Sequence, residues 1–221
     1  MYLACNGIAL YYEVKGSGKP LIMLHGNSED HTIFDQAAKV LAKRYTCWLI
    51  DSRGHGKSEK TKELHYLDMA GDLISFMEQK KLRDAAVYGF SDGGIIGLLA
   101  AMNTDRISHL AVSGANCTPA GIDRKAYAAI RCVNAVHPDP MLRMMLEEPA
   151  ITAQELSTIQ AETLVLAGQH DLVLRRETDL IASSIPRSEK RILAAEGHGS
   201  YIVHNRKIGD LLFAWLSRTG F

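Results

Sequence analysis

The stretch Val87-Tyr88-Gly89-Phe90-Ser91-Asp92-Gly93-Gly94-Ile95-Ile96-Gly97 decides the fold. An apolar, β-prone run over residues 85–88 meets Gly-x-Ser-x-Gly, and a small-residue helical run over 95–102 follows at once. Strand, sharp turn and helix is the context of a nucleophile elbow, in which the serine sits at a strained apex. Glycine at 89 and 93 removes the Cβ atoms that would collide where strand and helix cross. The amides of Ser91 and Asp92 then open a helix, where partial positive charge collects.

The pattern continues on both sides. Residues 2–4 and 8–14 read as strands around Asn6-Gly7, a hairpin signal. Residues 20–24, 45–50, 109–113, 164–167 and 191–194 are short apolar runs of the kind buried on both faces of a parallel sheet. Helical spacing falls between them, over 32–42, 67–79, 172–183 and 201–216. Alternation at this interval implies βαβ units and a mostly parallel sheet with an antiparallel hairpin at its start and helices on both faces. Residues 118–160 break the rhythm. They contain helical pieces at 123–136 and 140–146, interrupted by Pro138, Pro140 and Pro149. This segment is expected to be a small helical cap, inserted after the sixth strand into a core formed by 1–117 and 161–221.

A chain of 221 residues can bury a large single core. Its 25 basic and 25 acidic residues leave no basic stripe for nucleic acid. No apolar run approaches the length of about 18 residues that a membrane span needs. Residues 1–7 lack a secretory signal pattern, so a cytoplasmic location is expected. Cys5, Cys47, Cys117 and Cys132 have no Cys-x-x-Cys spacing and read as reduced thiols. There is no His-Glu-x-x-His, dinucleotide Gly-x-Gly-x-x-Gly or Walker-type loop, so no metal or organic cofactor is expected.

Acyl transfer by serine needs a base, an orienting acid and N–H donors for an oxyanion, each at the C-terminal end of a strand. His198, in Glu196-Gly197-His198-Gly199-Ser200, follows the last strand and is the candidate base. His55 also lies in a strand-end loop and is the rival, although it precedes the serine. Asp171 follows the penultimate strand and is the candidate acid; it would equally serve as N-cap of a helix starting at Leu172. The backbone amides of Asp92 and of Asn27, in His25-Gly26-Asn27, are the candidate oxyanion donors. The Asp92 carboxylate either pairs with a cationic substrate group or complements the helix N-terminus, an effect of about 0.3–1 kcal/mol. Met141 and Met145 are candidate substrate contacts, although their helical spacing is also that of ordinary packing.

At this point the chain resembles the α/β-hydrolase family. The landmarks are His25-Gly26-Asn27, Asp51-x-Arg53-Gly54-x-Gly56-x-Ser58, Gly89-x-Ser91-x-Gly93, Gly168-x-x-Asp171 and Gly197-His198, in the family's order and across essentially the whole chain. The elbow is similar to that of relatives acting on amino-acid esters. The family's frequent proline before the acid-bearing strand is replaced by Glu162, and a cap of about 40 residues is short for the family. Relatives that cleave carbon–halogen bonds use aspartate where Ser91 stands, so dehalogenation is disfavoured. The resemblance implies a serine hydrolase of carboxylesterase type acting on a small ester, as a monomer or homodimer. It leaves open C–C bond hydrolysis, perhydrolase or haloperoxidase-like activity, and a ligand receptor with little turnover.

Overall fold

The computed structural model describes all 221 residues. Eight strands form one sheet: β1 (Tyr2–Cys5), β2 (Ile8–Lys15), β3 (Lys19–Leu24), β4 (Tyr45–Ile50), β5 (Ala85–Phe90), β6 (Ile107–Ser113), β7 (Glu162–His170) and β8 (Ser188–Gly197). Their order across the sheet is β1-β2-β4-β3-β5-β6-β7-β8. The β1–β2 and β2–β4 pairs are antiparallel and every later pair is parallel.

Strand residues alternate between two cores. In β3, Ile22 and Leu24 face one cluster while Leu21 and Met23 face the other; in β5, Val87 and Tyr88 divide in the same way. The first core is closed by α2 (Tyr66–Gln79), α3 (Asp92–Asn103), α6 (Ala153–Leu156) and α7 (Arg175–Ser184), the second by α1 (Asp35–Leu41) and α8 (Lys207–Arg218). Between β6 and α6 lie α4 (Arg124–Val136) and α5 (Pro140–Glu147). Asp123 caps α4 and Asp139 caps α5, each through a side-chain oxygen that accepts backbone N–H groups. The capping box of Thr152 and Glu155 starts α6, whose Leu156 sits in the first core.

Strand order reverses at β3 and β5. From β3 the chain moves outward to β4, then crosses back to β5 on the other side. At such a switch point the loops leaving adjacent strands diverge and open a crevice at the carboxyl edge. Asn27 leaves β3 there and Ser91 leaves β5.

Several boundaries differ from the sequence expectation. The strands expected at 164–167 and 191–194 extend as β7 and β8 to His170 and Gly197. The helix expected from 172 begins at Arg175, because Leu172 to Leu174 are held extended against the segment 121–123. The last helix begins at Lys207, where the Asn205 side-chain oxygen accepts the Lys207 N–H, while Tyr201 and Ile202 are buried in a preceding turn.

Candidate active site

Ser91 has φ 52° and ψ −115°, a conformation L-residues avoid. Close packing enforces it. A Cβ on Gly89 would lie 2.1 Å from Gly93 O, and one on Gly93 would lie 2.2 Å from Leu24 O. The Ser91 N–H donates to Ser113 O at 2.8 Å, which ties the apex to the end of β6.

The register of β7 on β8 brings acid and base together. An irregularity after Gly168 lets His170 pair with Gly197, so Asp171 and His198 emerge side by side. His198 Nδ1 lies 2.6 Å from Asp171 Oδ1, and His198 Nε2 lies 3.1 Å from Ser91 Oγ. An ionised carboxylate only accepts, so Nδ1 carries the proton and Nε2 offers its lone pair to the serine hydroxyl. Asp171 does not cap α7. Its two oxygens accept the N–H groups of Gly168 and Val173 as well as the imidazole N–H. Burial pushes the Asp171 carboxyl up, but His198 and those two amides outweigh it and hold it below the ordinary carboxylate range. A depressed acid stabilises the fold above its unfolded pKa of about 3.9 and loses that contribution as pH falls through the folded value. The stability difference between wild type and Asp171→Asn is therefore expected to shrink below about pH 4, measured by urea unfolding across pH.

His55 is not in this chain of hydrogen bonds. Its Nδ1–H donates to Arg53 O at 2.9 Å and its ring packs on His25 at 5.2 Å. His25 accepts the Ser52 N–H at Nε2 and donates from Nδ1 to Gly26 O. Burial, reinforced by His55, pushes the His25 pKa down to about 4, so the ring is a neutral brace for the loop carrying Asn27. Nearby, Asp51 accepts from both backbone and ring N–H of His31 and from Lys57 N. Asp30, His31 and Asp51 place ligand-type atoms within 4.8 Å of one another, and these hydrogen bonds commit the Asp51 oxygens to tying loops together.

The backbone N–H groups of Asn27, in the loop after β3, and of Asp92, the first residue of α3, have no acceptor within the protein, and both flank the switch point. The Asn27 side chain is fixed from two directions, donating to Asp92 Oδ2 at 2.9 Å and Met141 O at 3.3 Å. Asp92 Oδ1 accepts the Tyr66 hydroxyl at 2.8 Å. Burial raises the Asp92 carboxyl against the lowering effect of these two donors.

Ser91 and His198 border two connected spaces. An inner chamber of about 50 Å³ is walled by Ile122, Ala126, Ile130, Met145, Leu172 and Val173, with Tyr66, Asp92 and Asn116 as its other polar groups. An outer cleft of about 240 Å³ adds Asn27, Glu29 and Phe90. Met145 lines both spaces. Met141 lies outside both spaces, because its carbonyl and sulfur face Asn27 and Ser28 instead. Two neighbours had no sequence signal. Tyr66 reaches Asp92 from the start of α2, and Glu29 accepts the Gly26 N–H at 2.9 Å; burial raises the Glu29 carboxyl.

Comparison with known proteins agrees with this architecture. A family model described as alpha/beta hydrolase fold matches residues 19–130. The AB hydrolase superfamily protein YisY of Bacillus subtilis is 25% identical over 253 residues, covering 93% of this chain and 94% of its own. The mouse serine hydrolase BPHL is 25% identical, covering 95% of this chain and 85% of its own. An esterase from Exiguobacterium antarcticum superposes with a TM-score of 0.85 at 22% identity, over 98% of this chain and 99% of that one. A meta-cleavage product hydrolase from Pseudomonas fluorescens superposes with 0.82 at 16% identity, over 99% and 98%. With its sheet order, its strand-end loops and this family match, the chain belongs to the alpha/beta hydrolase fold family.

Proposed function

We propose that the protein is a serine hydrolase of small carboxylic esters, with Ser91 as nucleophile, His198 as base and Asp171 as orienting acid. The observation that carries this reading is the continuous hydrogen-bonded series Ser91, His198, Asp171 at the mouth of an apolar chamber. In the first step His198 Nε2 takes the Ser91 proton while Oγ bonds to the ester carbonyl carbon. The resulting oxyanion is received by the amides of Asn27 and Asp92. As it collapses, the C–O bond to the alcohol breaks and the imidazolium returns its proton to the departing oxygen. Water then repeats the sequence on the acyl-enzyme and releases the acid.

The small inner chamber fits a short acyl group, and the open outer cleft fits the alcohol. Residues 118–160 act in this reading as a cap, since α4 and α5 contribute Ala126, Ile130 and Met145 to the walls. Names among the relatives and neighbours include serine hydrolase, esterase and meta-cleavage product hydrolase, and the ester reading draws on the first two.

The test is fluorophosphonate labelling read by intact mass, run beside hydrolysis of p-nitrophenyl acetate, butyrate and octanoate. A single adduct on Ser91, absent in Ser91→Ala, with turnover falling as the acyl chain lengthens, is the expected result. No adduct, or an adduct without turnover, overturns the assignment. Asp92→Ala in the same assays separates the two roles of that carboxylate. As a tether of Asn27 its loss lowers kcat on all esters alike, whereas as an amine site its loss raises KM on amino-acid esters alone.

A further inference from the structure

A groove of about 980 Å³ lies along a different face of α4 from the one that meets the catalytic chamber. Ala126 and Ile130 point to the chamber; Arg124, Tyr127 and Arg131, roughly 100–160° further round the helix from Ala126, line the groove. Arg176, at the start of α7, completes its opposite wall. The partition between the two spaces is a short pairing of residues 121–123 with 172–174. Ile122 and Val173 form an antiparallel bridge, Asp123 N donates to Leu172 O, and Leu174 N donates to Gly121 O. Ile122 contacts both spaces, and the partition's second strand is the segment that leaves Asp171.

Charge in the groove is one-sided. Arg124 and Arg131 make no ion pair and no side-chain hydrogen bond, although the protein as a whole is neutral. Arg176 is steadied by Ala120 O and lies 3.6 Å from Glu177. Neither acid at hand reaches Arg124 or Arg131, and of the three arginines Glu177 meets only Arg176. Asp123 accepts the first amides of α4, and Glu177 accepts the Cys117 N–H in the interior. The arginines also stand where local stability disfavours them. Arg124 and Lys125 open α4, and Arg175 and Arg176 open α7, at the positive ends of the helix dipoles, where Asp123 and Glu177 supply the acids. Concave shape and three guanidinium groups with fork geometry, two of them without an acidic partner, together meet the requirements of anion recognition.

We propose that this groove binds a carboxylate- or phosphate-bearing molecule, either as the anionic end of a substrate that reaches round α4 or as a separate ligand. The binding claim stands apart from the hydrolytic reading, and only the second arm of its test uses turnover. In the first arm, inorganic pyrophosphate and glutarate are titrated calorimetrically into wild type and Arg124→Gln/Arg131→Gln. Both positions are exposed, and an unchanged melting temperature verifies the variant's fold. We expect binding that weakens with added salt and falls at least tenfold in the variant. Equal affinities, or no binding of either ion to wild type, overturn the proposal. In the second arm, p-nitrophenyl hydrogen glutarate and p-nitrophenyl butyrate are compared. A KM rise confined to the charged ester makes the anion part of the substrate. Equal KM values with pyrophosphate binding lost in the variant make it a separate ligand.

Discussion

With Ser91 as the proposed nucleophile, its replacement by alanine is expected to lower ester turnover by on the order of 10⁴–10⁶-fold, because nucleophile and base would act as one unit. The more informative variant is Ser91→Gly. It loses turnover to the same extent, yet it is expected to melt higher than wild type. Ser91 sits at φ 52° and ψ −115°, where a side chain costs on the order of 1–3 kcal/mol and glycine costs little. Against that relief stands the greater unfolded-state freedom of glycine, roughly 0.5–1 kcal/mol. The balance favours the folded variant by about 1 kcal/mol, or roughly 2–4 °C in melting temperature for a chain of this size. A lower melting temperature for Ser91→Gly would mean that the apex is not strained.

Gly93→Ala is expected to damage fold and activity together. The new Cβ would lie 2.2 Å from Leu24 O and 2.7 Å from His25 O. Both obstacles are backbone, so no side-chain rotation relieves them. We expect a loss of about 3 kcal/mol, at the upper end for overpacking, and a melting temperature lower by roughly 6–12 °C. The strand end that must move leads into Gly26 and Asn27, so turnover should fall by more than the unfolded fraction explains. Gly71→Ala is the control. Its Cβ would meet only the Asn6 side chain, with Nδ2 at 3.1 Å and Cγ at 3.7 Å, on an exposed residue free to give way. In a helix interior the change to alanine should be neutral or stabilising, by up to about 1 kcal/mol. Similar losses for both variants would remove the close-packing account of the elbow.

The fold was legible because its elements carry local signals. The apolar runs, the Asn6-Gly7 turn and the Gly-x-Ser-x-Gly elbow each state their own geometry. Ser91, His198 and Asp171 were legible because each follows a strand, and parallel strands deliver their ends to one edge. What sequence did not carry is which side chains meet across loops. Tyr66 reaches Asp92 over 26 positions, and Asn27 meets the Met141 carbonyl over 114, contacts that only three-dimensional packing creates. The same limit applies to Met141, whose spacing reads as either a substrate contact or packing. Helical spacing predicts that Met141 and Met145 share a face, but it does not say where along that face the chamber ends. Asp171 could be read as a helix cap because aspartate before a helix usually is one; the pairing of residues 172–174 with 121–123 displaced the helix start beyond its reach.

None of the thirteen residues of α4 is buried, although the helix walls both the chamber beside Ser91 and the arginine groove. A helix that sinks no side chain into the core draws little of its order from folding. Its amides, in hydrogen-exchange terms, should open at a small fraction of the global unfolding free energy. Any molecule that touches α4 from either side then adds its own binding free energy to the closed form. Occupants of the two spaces would therefore favour one another with no wire of contacts between them, since whichever arrives first has already met the cost of holding the shared helix still.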